Sequence, residues 1–178
     1  PVSESLEGAE VESWRPSPEE LAAPQLVWAT SVPAYSSQLA AQNQDEPYSA
    51  SQAAGSPTVY PDYKDSGAAW SSRFLNVRQG IQGEEYIELV FPETLADGIL
   101  IVETLLPGSV VRVDDLSDES CAVALWTGTS PPGKGQARVL KLTLPEARSI
   151  SRLRVNLHSR SIMPRPQLDA VALVRSGE

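Results

Sequence analysis

A chain of 178 residues with 41% hydrophobic content is long enough to bury one substantial core, and its single cysteine, Cys121, excludes an intrachain disulfide framework. A net charge of −9, with no basic stripe interleaved with aromatics, repels phosphates and argues against nucleic acid as a partner. No apolar run approaches the ~20 residues of a membrane-crossing helix, so no membrane span is expected.

The charge is uneven. Residues 1–97 carry 4 basic and 15 acidic side chains, whereas residues 98–178 carry 10 and 8. The chain begins at Pro1 rather than Met, so its start reads as processed, trimmed or incomplete. Residues 1–24 are rich in Glu, Ser and Pro with Trp14 as their one large anchor, a composition that cannot fold alone. They are expected to form an extended arm or linker, with one helical turn at 17–23 where Ser17 caps and Pro18 takes the first position.

From Gln25 to the end the texture is that of one β-domain. Candidate strands are Gln25–Val32, Glu85–Phe91, Ile99–Thr104, Val110–Asp114, Ala122–Trp126, Arg138–Leu144, Ile150–Leu157 and Leu168–Val174. Ile87, Leu89 and Phe91 alternate with Tyr86 and Glu88, and Leu153, Val155 and Leu157 alternate with Arg152, Arg154 and Asn156. Short helical turns are expected at Gln38–Gln44 and Ala50–Ala54. About eight strands with few helices predict an all-β fold: an antiparallel β-sandwich of the jelly-roll type with an extended N-terminal arm. Trp70 and Trp126 read as core.

Catalytic chemistry is poorly supplied. Cys121 reads as a small core residue, and His158, the only histidine, as a solvated or hydrogen-bonded structural group. Gly128 to Lys134 matches the start of a phosphate-loop pattern, but Gly135 follows where a hydroxyl is needed and Pro131 and Pro132 lack N–H donors, so a plain loop is expected. The acidic run Asp114, Asp115, Asp118 and Glu119 reads as a solvated turn. Glu84, Glu85 and Glu88 lie on a strand face and its approach, which discourages a hydrolase.

Three features suggest protein contact: Trp14 on the arm, an apolar tip at Leu105 and Leu106 beside Pro107-Gly108, and the outward Arg152 and Arg154, placed for ion pairs across a sheet or with an acidic partner. Carbohydrate recognition needs aromatic faces and a few polar groups. Tyr48, Tyr60 and Tyr63, in the long loop between Asp45 and Gly83, supply the first, and the segment from Tyr60 to Arg73 is the candidate carbohydrate contact.

The order of local patterns resembles a group of galactose-binding-like domains found in secreted and surface multidomain proteins. The resemblance rests on Val27-Trp28-Ala29-Thr30-Ser31-Val32, Tyr35-Ser36-Ser37-Gln38, Tyr48 to Pro57, Val59-Tyr60-Pro61-Asp62-Tyr63, Ala69-Trp70, Glu85 to Leu89, Gly98-Ile99 through Glu103-Thr104, Pro107-Gly108, Leu125-Trp126-Thr127-Gly128 and Asp169-Ala170-Val171. It spans residues 26–174 and implies a non-enzymatic jelly roll in an extracytoplasmic setting. Two departures stand out: Leu105-Leu106 replace an aromatic-polar pair, and Gln167-Leu168 stand where the family tends to carry Glu-Ile. Many such sandwiches hold one structural calcium ion near the start of the fold. Here the implied donors are backbone carbonyls around Gln52–Gly55 with Asp62 or Asp65, and Gln167 removes an acidic group from that neighbourhood. No other cofactor is expected. The functional expectation is a recognition or assembly module acting through protein contacts, with a carbohydrate-binding module as the alternative.

Overall fold

The computed structural model describes residues 4–39, 46–73, 84–158 and 165–177. Among them are ten strands: β1 Glu4–Ser5, β2 Glu10–Trp14, β3 Leu26–Trp28, β4 Ser31–Tyr35, β5 Trp70–Ser71, β6 Glu84–Leu105, β7 Val110–Asp115, β8 Val123–Thr127, β9 Arg138–His158 and β10 Gln167–Arg175. The rest is loop and two 3-10 turns, Glu20–Ala22 and Ala50–Ala53. The expected helical turn at Gln38–Gln44 falls largely outside the described residues.

The spine is a single antiparallel ladder of β6 and β9, running from Glu84 opposite His158 to Glu103 opposite Arg138. Four of the sequence-predicted strands are therefore two. Pro92 and Pro145 do not end them, because register shifts between Val90 and Thr94 and between Ala96 and Gly98 bend the ladder without breaking it. Gly98 belongs to this bend, since a Cβ there would sit 3.2 Å from the Val174 side chain and 3.3 Å from the Leu142 carbonyl.

The bend makes the sandwich. Before it, β6 pairs with β4, while the matching half of β9 pairs with β7, which carries β8 and β1. Beyond it, β6 pairs with β10, which carries β3 and β5, while β9 pairs with β2. The two halves enclose one core, in which Ile87, Leu89, Val113, Leu125, Leu153 and Val155 meet Ile99, Ile101, Leu140, Leu142, Val171 and Leu173. The alternation expected for Glu85–Phe91 and Ile150–Leu157 holds, with Leu89 and Leu153 fully buried. The sandwich is not purely antiparallel, because β1 pairs with β8 in parallel.

The first 24 residues take part in this architecture. β2 lies along β9 with Trp14 opposite Val139, and the turn at 20–22 is closed by a reciprocal capping box. In it, the Ser17 N–H donates to the Glu20 carboxylate at 2.7 Å, and the Glu20 N–H donates to the Ser17 hydroxyl oxygen at 3.2 Å. The turn presses Leu21 into a second cluster with Leu100, Val102, Val139, Ala170 and Ala172, flanked by Trp14, Leu26, Trp28, Tyr60 and Val174. The runs 99–102 and 170–173 are apolar on both faces for this reason: one face lines the main core and the other lies under the arm.

The far end of the ladder is tied by Arg138, whose Nε donates to Glu103 at 2.8 Å and whose Nη1 donates to the Pro131 carbonyl at 2.5 Å, while the Gly108 N–H donates to Glu103 at 3.0 Å. One buried ion pair thus holds the loops on both sides of it. Burial pushes the Glu103 carboxyl up, and the charge of Arg138 and the hydrogen bonds from Gly108 and Arg138 offset this only in part.

Leu21 is 5% exposed, so replacing it by Ala leaves a cavity under the arm. Leu21→Ala is expected to lower unfolding free energy by about 2–3 kcal/mol in urea titration. An unchanged midpoint would mean that the arm does not rest on the sheet in solution.

Candidate functional site

The candidate recognition loop, residues 56–66, is held by the start of β10. The Asp169 carboxylate, 1% exposed, accepts hydrogen bonds from the backbone N–H groups of Thr58 (3.1 Å), Val59 (2.9 Å) and Tyr60 (2.8 Å), and from the Thr58 hydroxyl at 3.3 Å. Two residues earlier, the Gln167 carbonyl oxygen accepts the Ser66 N–H at 3.0 Å and its amide nitrogen donates to Asp65 at 2.7 Å. The Tyr48 hydroxyl is raised above its ordinary pKa first by its hydrogen bond to Asp65, then by burial and by the Asp65 charge.

Tyr60, held by Asp169 through its backbone, donates its hydroxyl to the Pro16 carbonyl at 2.6 Å. Burial raises its pKa; Arg15 opposes that rise and Glu20 adds to it. Tyr60 lines a cleft of about 380 Å³ between arm and sandwich. The arm contributes Pro18, Leu21 and Ala22, and the sandwich contributes Trp28, Ser56, Pro57 and Tyr60. The volume falls in the range of small-molecule sites.

Of the sequence-named carbohydrate contacts, only Tyr60 lines this cleft. Tyr63 is 38% exposed three residues further along the loop. Arg73 is exposed elsewhere, its backbone N–H donating to the Ser37 hydroxyl at 2.9 Å. Trp28 and Asp169 carry no role in the sequence reading, although both lie in fragments that carry the family resemblance. A tryptophan on a short strand and a carboxylate inside an apolar strand were the available signals.

Several sequence-named protein contacts are placed differently. Leu105 is no exposed tip: β6 continues through it, it pairs with Gln167, and it is only 9% exposed. Leu106 is half-buried with φ of 45°, where the chain turns. Trp14 is half-buried against the second cluster with the Lys141 ammonium 5.3 Å from its ring centroid. Two core assignments also shift. Trp126 is half-buried at the margin of the main core, and Cys121 is half-buried in the turn before β8, because β8 starts two residues later than the apolar run suggests.

Arg152 and Arg154 do form ion pairs across the sheet. Their Nε atoms donate to the two oxygens of Glu88 at 3.2 Å and 3.0 Å, and Arg154 stacks on Tyr86 with its guanidinium 4.3 Å from the ring centroid. The row continues with Arg112 on Asp114 at 2.7 Å and Arg148 on Asp115 at 2.9 Å. The acidic run is only partly the solvated turn expected: Asp114 and Asp115 end β7 and are buried under their arginine partners, while the turn itself is closed by Ser117 donating to Asp115 and Ser120 to Asp118. The segment from Gly128 to Lys134 is a loop leading into strand β9, with Gly133 packed against Pro107. His158 ends β9 and its N–H donates to the Ser109 carbonyl at 2.7 Å. No helix among the described residues is long and apolar enough to cross a membrane.

No protein-family profile matches the sequence, and no curated protein sequence is similar to it. Solved structures are similar in fold. A structure of reduced XRCC1 bound to the DNA polymerase β catalytic domain superposes with a TM-score of 0.58 at 14% identity, covering 85% of this chain and 99% of that one. The family 32 carbohydrate-binding module of Clostridium perfringens NanJ, in complex with galactose, gives 0.51 at 7% identity over 92% and 98%. A fragment of C. perfringens ZmpB with two such modules and a catalytic domain gives 0.58 at 8% identity, over 95% of this chain and 17% of that one. The chain has the galactose-binding-like jelly-roll fold.

Two outcomes follow from the side chains that organise this region. Asp169→Ala strands buried N–H donors and is expected to cost about 2–4 kcal/mol in urea unfolding, with Val59 and Tyr60 amides losing exchange protection; intact protection would refute the loop anchor. Burial raises the Glu88 carboxyl, but hydrogen bonds and charge from Arg154 and Arg152 outweigh it and hold the group below its ordinary 4.5. Its contribution is complete above that pH and lost as the pH falls through the lowered folded value. The stability gap between wild type and Glu88→Gln should therefore be largest near neutrality and close as the pH falls through the lowered folded value; a gap independent of pH would contradict the pairing.

Proposed function

We propose that this domain is a non-catalytic carbohydrate-recognition module of an extracytoplasmic multidomain protein, and that the sugar enters the cleft between the N-terminal arm and the loop of residues 56–60. The observation that carries this reading is the pair of aromatic side chains, Trp28 and Tyr60, lining a cleft of about 380 Å³. Aromatic rings stack on the apolar C–H face of a pyranose, and that interaction needs water removed from both surfaces. Polar partners for hydroxyls are at hand: Ser56 on the wall, the Tyr60 oxygen, which keeps acceptor capacity while donating to Pro16, and the charges of Arg15 and Glu20 that act on Tyr60. The fold shared with the galactose-bound NanJ module and with the paired modules of ZmpB supports the class of ligand and the multidomain setting.

A second reading has its own observation. The paired arginines on Glu88 and the Arg154–Tyr86 stack form an ordered, half-exposed polar surface of the residue types that anchor protein contacts. The fold shared with XRCC1, whose structure contains a bound polymerase domain, supports that use.

A glycan array on the purified chain, followed by titration of its best hit, separates the two. The carbohydrate reading expects saturable binding that Tyr60→Ala and Trp28→Ala each weaken by about tenfold or more, with the far-ultraviolet spectrum unchanged, and that Arg154→Ala leaves intact. Binding to no glycan, together with a stoichiometric protein partner lost on Arg152→Ala and Arg154→Ala, would replace it with the protein-contact reading.

A further inference from the structure

The calcium ion that the fold family implies needs several oxygen donors converging on one point, usually with more than one carboxylate among them. The donor set in this chain does not fit. Gln167 is 2% exposed and its orientation is fixed by chemistry: the Ser66 N–H at 3.0 Å requires the amide oxygen, so the NH2 group faces Asp65 at 2.7 Å. An amide N–H donor therefore already stands at Asp65 Oδ1, against an oxygen that a cation would need. Tyr48 also hydrogen-bonds to Asp65. Asp62 lies out in solvent with Lys64 at 3.5 Å, and both oxygens of Asp169 are taken by the loop backbone. Among the described residues, no three His, Cys, Asp or Glu side chains are grouped to hold a metal.

We infer that β10 locks the recognition loop with two side chains, Gln167 and Asp169, and that no calcium ion takes part. Gln167 bridges the loop with a neutral amide where a cation could otherwise stand: its NH2 group donates to Asp65, and its carbonyl oxygen accepts the Ser66 N–H. Asp169 fixes the other leg of the same loop at residues 58–60. A glutamate at position 167 would accept from Ser66 but repel Asp65, and that repulsion is what a cation would have to relieve. The loop bearing Tyr60 and Tyr63 is accordingly ordered at any calcium concentration, and the domain needs no metal to present its cleft.

The test is the thermal unfolding of the full chain in millimolar CaCl2 and in excess EDTA, with a calorimetric titration of CaCl2 alone. The expected result is one melting temperature in both solutions and no saturable heat. Gln167→Ala is expected to melt roughly 3–10 °C lower in both. A wild-type melting temperature that falls in EDTA and recovers with calcium would overturn the inference, as would saturable calcium binding abolished by Asp65→Asn. Gln167→Ala melting with the wild type would overturn the role given to the amide.

Discussion

A sheet whose strands carry apolar side chains on both faces must be covered twice, and the rest of this structure follows from how the second cover is supplied. Leu100, Val102, Val139, Ala170 and Ala172 face away from the main core. Bare, they would present an apolar surface that soluble domains rarely leave open. The N-terminal arm closes it with one short turn, and burying Leu21 there contributes about 2 kcal/mol. Alanines at 170 and 172 leave the room that the leucine fills. Incomplete filling is equally important: Tyr60 reaches the arm at Pro16, yet a cleft remains between Pro18, Leu21 and Ala22 on one side and Trp28, Ser56 and Pro57 on the other. Fold and candidate site thus share one cause.

The second constraint is polar. β10 is apolar from Ala170 to Val174, and at its start a carboxylate and an amide are buried two residues apart. Neither is tolerable without partners, and both find them in the backbone of one loop. The loop in turn gains an anchor at each leg, so an aromatic side chain that would otherwise sample solvent is held against the arm. Rigid presentation of Tyr60 would lower the ordering cost of the proposed binding. The opposite layer solves a related problem with ion pairs: Glu88 is buried on a sheet face because two guanidiniums lie over it, while the arginines stay half-exposed.

Much of this was legible in the sequence. Period-two alternation located the inward faces of Glu85–Phe91 and Ile150–Leu157, and the ordered fragments from Val27 to Val171 identified the galactose-binding-like fold. Strand ends were not legible, because Pro92 and Pro145 read as breaks and nothing local distinguishes a bend that keeps the ladder from a turn that ends it. The strands of the arm escaped notice for a different reason. Glu10–Trp14 has the composition of a solvated segment, and only its partner β9 makes it a strand. The runs at 99–102 and 170–173 are apolar on both faces, but they were read only as sandwich strands, and the second layer went unread. Leu105 looked exposed because it precedes Pro107-Gly108, whereas the ladder continues through it. Asp169 was quoted as a family fragment without a role; a single carboxylate within an apolar strand cannot reveal which backbone it binds.

The central claim is that the arm is part of the folding unit and a wall of the cleft. Hydrogen exchange on the full chain, compared with a chain beginning at Gln25, tests it most directly. The account predicts that removing the arm lowers protection along residues 98–105 and 167–175 and at the 58–60 amides, while β7, which pairs with no strand of the arm, keeps its own. Equal protection throughout both chains would contradict it, and would leave the arm a linker and the cleft without its second wall.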